Sequence, residues 1–353
     1  MTNSIKRVLV GLSGGADSTA AVLLLRAQGW DVTGLHFRVT GTEDLSGAAV
    51  QNVARHLALP LIVKDVSDRF EEIVVKDFCR AYAAGQTPNP CVVCNPTVKF
   101  RVLCEEADRL EISHIATGHY ARIFQTPEGI YYVRKGANTP KDQSYMLYRL
   151  PQSVLMRTLF PLGETDSKED VRIFLENHGL PNARSKDSQD ICFIQDRTYQ
   201  EFLKDRGVAS MPGPFTDREG NILGMHRGIQ NYTPGQRKGL GIALGKPAYV
   251  IELNCEKNTI ILGGEEDLYR SSVEVRDAVF TAYGATERLP EPLRNIPVDV
   301  KLRYTAKSAS AVLHQNSGER ITVTFDQPQR APAPGQSAVF YQEDLILGGG
   351  LIL

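Results

Sequence analysis

The feature that most constrains this chain is a short run near its start, Gly11-Leu12-Ser13-Gly14-Gly15-Ala16-Asp17-Ser18. It follows the apolar segment Val8-Leu9-Val10 and leads into an Ala- and Leu-rich stretch, 18–28, that stops at Gly29. A strand, a glycine turn and a helix closed by glycine predict the opening unit of an α/β sheet. Such a turn aims backbone N–H groups and a helix N-terminus at one point, which makes an anion site. Gly14 and Gly15 let the main chain approach a phosphate with no Cβ in the way. Ser13 and Ser18 add hydroxyl donors, and Asp17 is a candidate ligand for Mg2+. The run carries neither Gly-x-x-x-x-Gly-Lys nor Gly-x-Gly-x-x-Gly, so it is a third kind of phosphate loop. The bland alternative is a glycine-rich turn in which Asp17 or Ser18 merely caps the helix.

The alternation continues. Strands are expected at 32–37, 61–66 and 112–117, and helices at 48–58, 69–84 and 97–110. That order predicts a parallel sheet covered on both faces. Ser167 opens a further helix with the capping pattern Ser167-x-x-Asp170. After about residue 195, glycine and proline become frequent and period-two patterning takes over. Val298, Val300 and Leu302 alternate with Asp299, Lys301 and Arg303, and 321–325 repeats the pattern, as in antiparallel strands with one buried face. A proline-bearing stretch, 289–297, precedes the first of these. The expected organisation is an α/β parallel-sheet domain over 1–195, a small β-rich central domain over 196–268 and a C-terminal antiparallel β-barrel over 269–353.

The chain has 353 residues and a net charge of -1, so total charge gives no sign of a nucleic-acid partner; a local basic patch suffices for one. The segment 222–251 has no acidic residue before Ile251 and carries His226, Arg227, Arg237, Lys238 and Lys246 with Tyr232 and Tyr249 interleaved. Arg134, Lys135, Lys141 and Arg149 with Tyr131, Tyr132, Tyr145 and Tyr148 make a second such stretch. Both suit phosphate contact and base stacking. No apolar run is long enough to span a membrane, and the short polar start does not read as a signal peptide, so a cytosolic protein is expected.

Of the six cysteines, Cys79, Cys104 and Cys255 read as small packing residues. Cys91 and Cys94 lie in Pro88-Asn89-Pro90-Cys91-Val92-Val93-Cys94-Asn95, where two prolines stiffen the backbone. Cys192 follows the polar run Asp187-Ser188-Gln189-Asp190 and reads as a loop thiol.

The loop Ser13-Gly14-Gly15-Ala16-Asp17-Ser18 resembles the signature of PP-loop enzymes, which split ATP into AMP and pyrophosphate to adenylate a carbonyl oxygen. That resemblance implies nucleotide contacts at Phe37 and Gly118 as well as along 11–18. Further blocks occur in order: Asn89-Pro90-x-x-x-Cys94-Asn95, Lys99-Phe100, Thr117-Gly118-His119-Tyr120, Lys141-Asp142-Gln143-Ser144-Tyr145, Ile191-Cys192-Phe193-Ile194, 235–241 and 334–341. Together they resemble, end to end, the bacterial tRNA-specific 2-thiouridylase (MnmA) family, with an adenine nucleotide alpha hydrolase-like N-terminal domain.

The resemblance implies a sulfurtransferase that adenylates O2 of the wobble uridine in tRNAs for Lys, Glu and Gln and then replaces that oxygen with sulfur. Cys192 would carry a persulfide received from a sulfur donor or relay protein. Cys94 would attack it, leaving a disulfide between the two. Asn89 and Pro90 would flank the target base, and His119, Lys141, Asp142, Gln143, Arg303, Tyr304 and Gln336 would contact tRNA. The uridine would have to leave the anticodon stack to reach both ATP and Cys94. A monomer is expected. The chain departs from the family pattern at Cys91, where many members have Asp. Three thiols, Cys91, Cys94 and Cys192, could hold a [4Fe–4S] cluster with one iron open for sulfide. Two other classes compete: a PP-loop synthetase using ammonia, and a non-enzymatic RNA-binding protein.

Overall fold

Strand β1 (Arg7–Gly11) turns Val8 and Val10 to one side and Leu9 to the other, and all three are fully buried. A strand buried on both faces belongs in the middle of a parallel sheet. Its neighbours are β2 (Asp31–Arg38), then β3 (Leu61–Asp65), and on the other side β4 (His114–Ala116). A hairpin, β5 (Ala121–Gln125) and β6 (Tyr131–Lys135), comes before the short edge strand β7 (Thr158–Leu159). The sheet order is β3-β2-β1-β4-β7, with every pairing parallel. The winding reverses between β1 and β4, so their C-terminal ends flank a switch point, where open α/β sheets bind ligands.

The structure, a computed structural model, describes residues 6–39, 45–185, 191–194, 197–242, 245, 247–282, 294–315 and 320–353. The polar run 187–190, Lys246 and most of the proline stretch 289–297 lie outside the described residues.

Helices Ala16–Ala27 and Leu45–His56 cover one face of the sheet, packing Val22, Leu25, Val50 and Val53 on Val8 and Val10. The other face packs Leu9, Leu35 and Ile115 against Phe100, Val102 and Leu103. Fully burying one such side chain contributes roughly 1.5–3 kcal/mol. The helix expected over 97–110 starts earlier. Pro90–Cys94, the π turn Asn95–Lys99 and Phe100–Arg109 run on as one helical stretch. Asn89 caps it, accepting a hydrogen bond from the Cys91 N–H, and Pro90 fills the first helical position. The run 67–83 likewise contains a π turn, Glu71–Val75. Ser167 caps helix Lys168–Asn177 as expected, but its hydroxyl accepts from the Glu169 N–H, so the capping box is not formed.

The central sheet holds β8 (Gly213–Thr216), β9 (Ile222–His226), β10 (Tyr249–Asn254) and β11 (Thr259–Gly263) in the order β10-β11-β8-β9. Its β8–β11 pairing is parallel, unlike the antiparallel pattern expected of the β regions. The C-terminal strands are β12 (Tyr269–Phe280), β13 (Ile296–Lys301), β14 (Ala309–Gln315), β15 (Ile321–Arg330), β16 (Ser337–Gln342) and β17 (Leu345–Ile352). They run β12-β15-β14-β13-β16-β17, and β17 pairs back to β12, closing an antiparallel barrel. Val298, Val300 and Leu302 face its core together, with Ile321, Val323 and Phe325. Strand β16 is buried on both sides: Ala338 and Phe340 fill the barrel, while Val339 and Tyr341 join the core around Tyr145 and Tyr148. Hairpin β5–β6, early in the chain, attaches to the barrel through β6 and β17. No described helix is long and apolar enough to cross a membrane.

Candidate active site

The phosphate loop leaves β1 at the switch point. Gly14 takes φ +80, a conformation glycine adopts without steric cost, and a Cβ there would press on Val50 at 3.0 Å. Gly15 is the extended N-cap of helix Ala16–Ala27 and offers no side chain of its own as a cap. The loop is braced from within: the Ser18 hydroxyl accepts from the Ser13 N–H at 3.1 Å and donates to the Gly15 carbonyl at 3.2 Å. The Leu12 carbonyl is 3.1 Å from His36 Nδ1.

Three strand ends meet around Gly11. A Cβ on it would contact Phe37 and Leu103 at 3.5 Å and Thr117 at 3.7 Å. The expected nucleotide residue Phe37, the end of β4 and the cysteine-bearing helical stretch are therefore neighbours of the loop. Gly118 passes so close to the helix start that a Cβ would lie 2.8 Å from the Asp17 carbonyl carbon and the Ser18 nitrogen. Only glycine fits that crossing.

Asp17 is not free to take a cation as it stands. Lys168 Nζ lies 2.7 Å from both of its carboxylate oxygens, and the Tyr120 hydroxyl donates to one of them at 2.8 Å. Asn182 donates to the Gly14 carbonyl and to the Thr19 hydroxyl, each at 2.8 Å. Lys168, Tyr120 and Asn182 were missed as loop partners from sequence. Each lies more than a hundred residues along the chain from its partner in the loop, and no local pattern announces such a contact.

Cys91 and Cys94 stand on the first turn of the helical stretch 90–109, with Cys91 exposed and Cys94 half-buried. Asn95 is buried and ties the helix to the Met146 carbonyl at 3.0 Å. Cys192 lies at the surface of the protein, yet neighbouring chain desolvates its thiol and raises its pKa to about 12, with Cys94 and then Cys91 adding to the rise. Desolvation also raises Cys91 and Cys94, and the Lys99 ammonium opposes it at all three thiols. Lys99 is a positive group within reach of all three thiols, but burial outweighs it. All six cysteines are free thiols. Among the described residues, no three His, Cys, Asp or Glu side chains are gathered closely enough to hold a metal ion. As placed, Cys91, Cys94 and Cys192 do not make a cluster site.

His119 follows Gly118 and stacks on Phe100, ring centroids 5.9 Å apart, with Phe160 edge-on to it. Its Nδ1 is 2.7 Å from the Thr117 hydroxyl. Desolvation, then the Lys99 charge, holds its pKa well below the usual imidazole value, so the ring is neutral. Phe100 thus links the cysteine-bearing stretch to the segment that follows β4.

The residues expected to contact RNA divide. Asp142 is buried, and its carboxylate accepts from the Gly136 and Ser144 N–H groups, both at 3.1 Å. The Gln143 side chain accepts from the Tyr120 N–H at 3.1 Å. Lys141 is half-buried in the short 3-10 turn Thr139–Lys141. Arg303 is half-buried and donates to the Ala331 carbonyl, and burial lowers its pKa. Tyr304 lies within electrostatic reach of Cys91. Gln336 donates to the Thr87 carbonyl at 2.7 Å, and Thr87 N–H donates to Pro334 at 2.8 Å, so a barrel loop grips the segment leading into Asn89 and Pro90. Beside that segment a cleft of about 630 Å³ opens between Pro88, Asn89 and Val93 on one side and Arg276 and Gly335 on the other.

Of the aromatics in the basic stretches, Tyr131 and Tyr132 are half-buried, and the others are not available for stacking. His226, Tyr232, Tyr249, Tyr145 and Tyr148 are buried and pack in cores. Arg227, Arg237 and Lys238 remain exposed. Cys255, read as a packing residue, is exposed in the turn after β10.

A parallel sheet with a Ser-Gly-Gly loop at its switch point and a barrel packed beside it defines a PP-loop protein of the HUP class. Residues 6–196 match the family described as tRNA methyl transferase HUP domain, residues 200–264 its PRC-barrel domain, and residues 284–352 an aminomethyltransferase beta-barrel domain. The chain belongs to the tRNA-specific 2-thiouridylase MnmA family. It is 41% identical to the MnmA of Acetivibrio thermocellus over 99% of both chains, and 41% identical to that of Moorella thermoacetica over 98% of both. It is 42% identical to MnmA 1 of Caldanaerobacter subterraneus subsp. tengcongensis, over 98% of this chain and 97% of that one. A solved 4-thiouridine synthetase–RNA complex with bound ATP is similar over 57% of this chain and 50% of that one, at 17% identity and a TM-score of 0.36.

Proposed function

We propose that this protein is an ATP-dependent tRNA 2-thiouridylase, a sulfurtransferase acting on the wobble uridine of tRNAs for Lys, Glu and Gln. The observation that carries the reading is the convergence at Gly11, where the phosphate loop meets the helical stretch that bears Cys94.

ATP lies with its phosphates on the N–H groups of 11–18 and its base against the ends of β2 and β4, at Phe37 and Gly118. Mg2+ bound beside the phosphates would be held by Asp17 and would supply charge neutralisation there. The uridine O2 attacks the α-phosphorus and expels pyrophosphate. The resulting adenylate makes the C2 oxygen a good leaving group. A persulfide on Cys192 comes from a persulfide-bearing donor. The Cys94 thiolate attacks the Cys192 sulfur, forms a Cys94–Cys192 disulfide and frees hydrosulfide. Hydrosulfide adds at C2 and expels AMP, and an external thiol then reduces the disulfide. This path needs thiolates, whereas desolvation keeps the thiols protonated.

In this reading Asn89 and Pro90 flank the extruded base, and Gln336, Arg303, Tyr304, Lys141 and His119 contact the tRNA; the hydrogen bond from Gln336 to the Thr87 carbonyl, close to Asn89, supports it. Asp142 and Gln143 contribute by shaping the turn that carries Lys141. The domain division 1–195, 196–268 and 269–353 serves this reading: nucleotide chemistry in the first part, RNA contact in the others, in a cytosolic monomer.

The test is product analysis of ATP. With unmodified tRNA and sulfide, the protein is expected to release AMP and pyrophosphate, at a rate at least tenfold above that without tRNA. Release of ADP, or ammonia-dependent AMP release that ignores tRNA, would contradict the reading in favour of a synthetase. No cleavage at all would leave an RNA-binding protein.

A further inference from the structure

A carboxylate at the mouth of an anion site is a liability. Asp17 stands in the first turn of helix Ala16–Ala27, inside the phosphate loop, where its charge would repel a polyphosphate. The structure neutralises it with one ammonium. Lys168 bridges both Asp17 oxygens at 2.7 Å, and its side chain is only 10% exposed. Tyr120 completes the cage, donating to Asp17 at 2.8 Å, with the Lys168 ammonium 5.9 Å from its ring centroid.

Lys168 comes from the first residue of helix Lys168–Asn177, a different part of the chain from the loop it touches. The same region returns to the loop at Asn182, which holds the Gly14 carbonyl and the Thr19 hydroxyl. The remaining polar atom of that side chain, Asn182 Oδ1, is buried with no hydrogen-bond partner among the described residues. The segment 168–182 thus contacts the phosphate loop at both of its ends and leaves an unsatisfied acceptor there. A simple strut between the two helices could sit anywhere along them; this one sits on the loop.

We propose that Lys168 is a ligand for the β- and γ-phosphates of the nucleotide, stored on Asp17 in the empty protein and shared with the polyphosphate when it binds. The proposal rests on the ATP reading above. The ammonium keeps its donors satisfied throughout: carboxylate before binding, phosphate oxygens after. Asp17, relieved of the ammonium, is then available to the cation that accompanies ATP, while the Tyr120 hydroxyl keeps it oriented.

The two members of the pair make opposite predictions. Calorimetric binding of inorganic pyrophosphate and of AMP is measured with chelator present, on wild type, Lys168→Met, Lys168→Arg and Asp17→Asn. Lys168→Met is expected to weaken pyrophosphate about tenfold and to leave AMP within about twofold, since one charge-assisted contact is lost. Lys168→Arg recovers most of the loss. Asp17→Asn releases the ammonium and removes the repelling charge, so pyrophosphate is expected to bind several-fold tighter than to wild type. Both Lys168→Met and Asp17→Asn break the same ion pair. If the pair were only a strut, the two variants would lose stability and ligand together, and a weakened Asp17→Asn would overturn the proposal even if Lys168→Met failed to fold. Wild type that binds neither ligand would overturn the ATP reading itself, and the proposal with it.

Discussion

Desolvation and a neighbouring ammonium both act to keep the His119 imidazole uncharged. The sign of the consequence follows from linkage. Below the ordinary imidazole pKa of about 6.5, an unfolded chain binds a proton at this position and the folded one does not, so acid favours unfolding. The contribution is fully present above that value and shrinks as pH falls towards the depressed folded pKa. In urea titrations, His119→Gln is expected to lose less stability than wild type between pH 7 and pH 5; an identical loss would show that His119 is not held neutral. Single residues also show where sequence reading stops. Asp142 and Gln143 lie in a polar run that resembles an RNA-contacting motif, yet both side chains turn inward to main-chain N–H groups. Residue type and spacing announce that hydrogen bonds will be made. They do not say with whom. Tyr232 and Tyr249 carry the same lesson: interleaving with basic residues made them look like stacking surfaces, yet strand β10 turns Tyr249 inside and the 3-10 turn Ile229–Asn231 delivers Tyr232 into the central core.

At the scale of elements, the helical stretch that carries Cys91 and Cys94 is the instructive case. Two prolines suggest a stiff segment. The same residues are a helix start, with Asn89 as cap and Pro90 at the first position. That signal was legible and was read for rigidity alone. The π turn Asn95–Lys99 was not legible, because one extra residue in a turn leaves no mark on an apolar pattern so short. If the cap fixes the helix start, Asn89→Ala should cost about 1 kcal/mol of unfolding free energy, and Asn89→Ser much less. Equal stability of all three proteins in urea would mean that the cap does not hold the stretch. Four strands of the parallel sheet were readable from their apolar runs, whereas the two-residue edge strand β7 was too short to leave one. The short loops between them kept each strand close in sequence to its helix.

For the whole molecule, alternation identified barrel strands, but closure depends on β17 returning to β12, a pairing that no local pattern encodes. The attachment of hairpin β5–β6 to the same barrel was invisible for the same reason. Strand β16 packs against Tyr145 and Tyr148, and Gln336 holds Thr87 two residues before Asn89. The barrel is thus tied directly to the segment that leads to Cys94. The phosphate loop was complete in sequence, while its partners Lys168, Tyr120 and Asn182 needed the fold. The central claim joins ATP to sulfur on one RNA base. It is tested most directly by nucleoside analysis of unmodified tRNA for Lys, Glu or Gln, incubated with a persulfide donor, a thiol reductant, ATP and the protein. The account predicts 2-thiouridine at the wobble position with wild type, none without ATP, and at least a hundredfold less with Cys94→Ser or Cys192→Ser. Wild-type protein that cleaves ATP but leaves the uridine unthiolated, or that thiolates it without ATP, would contradict it.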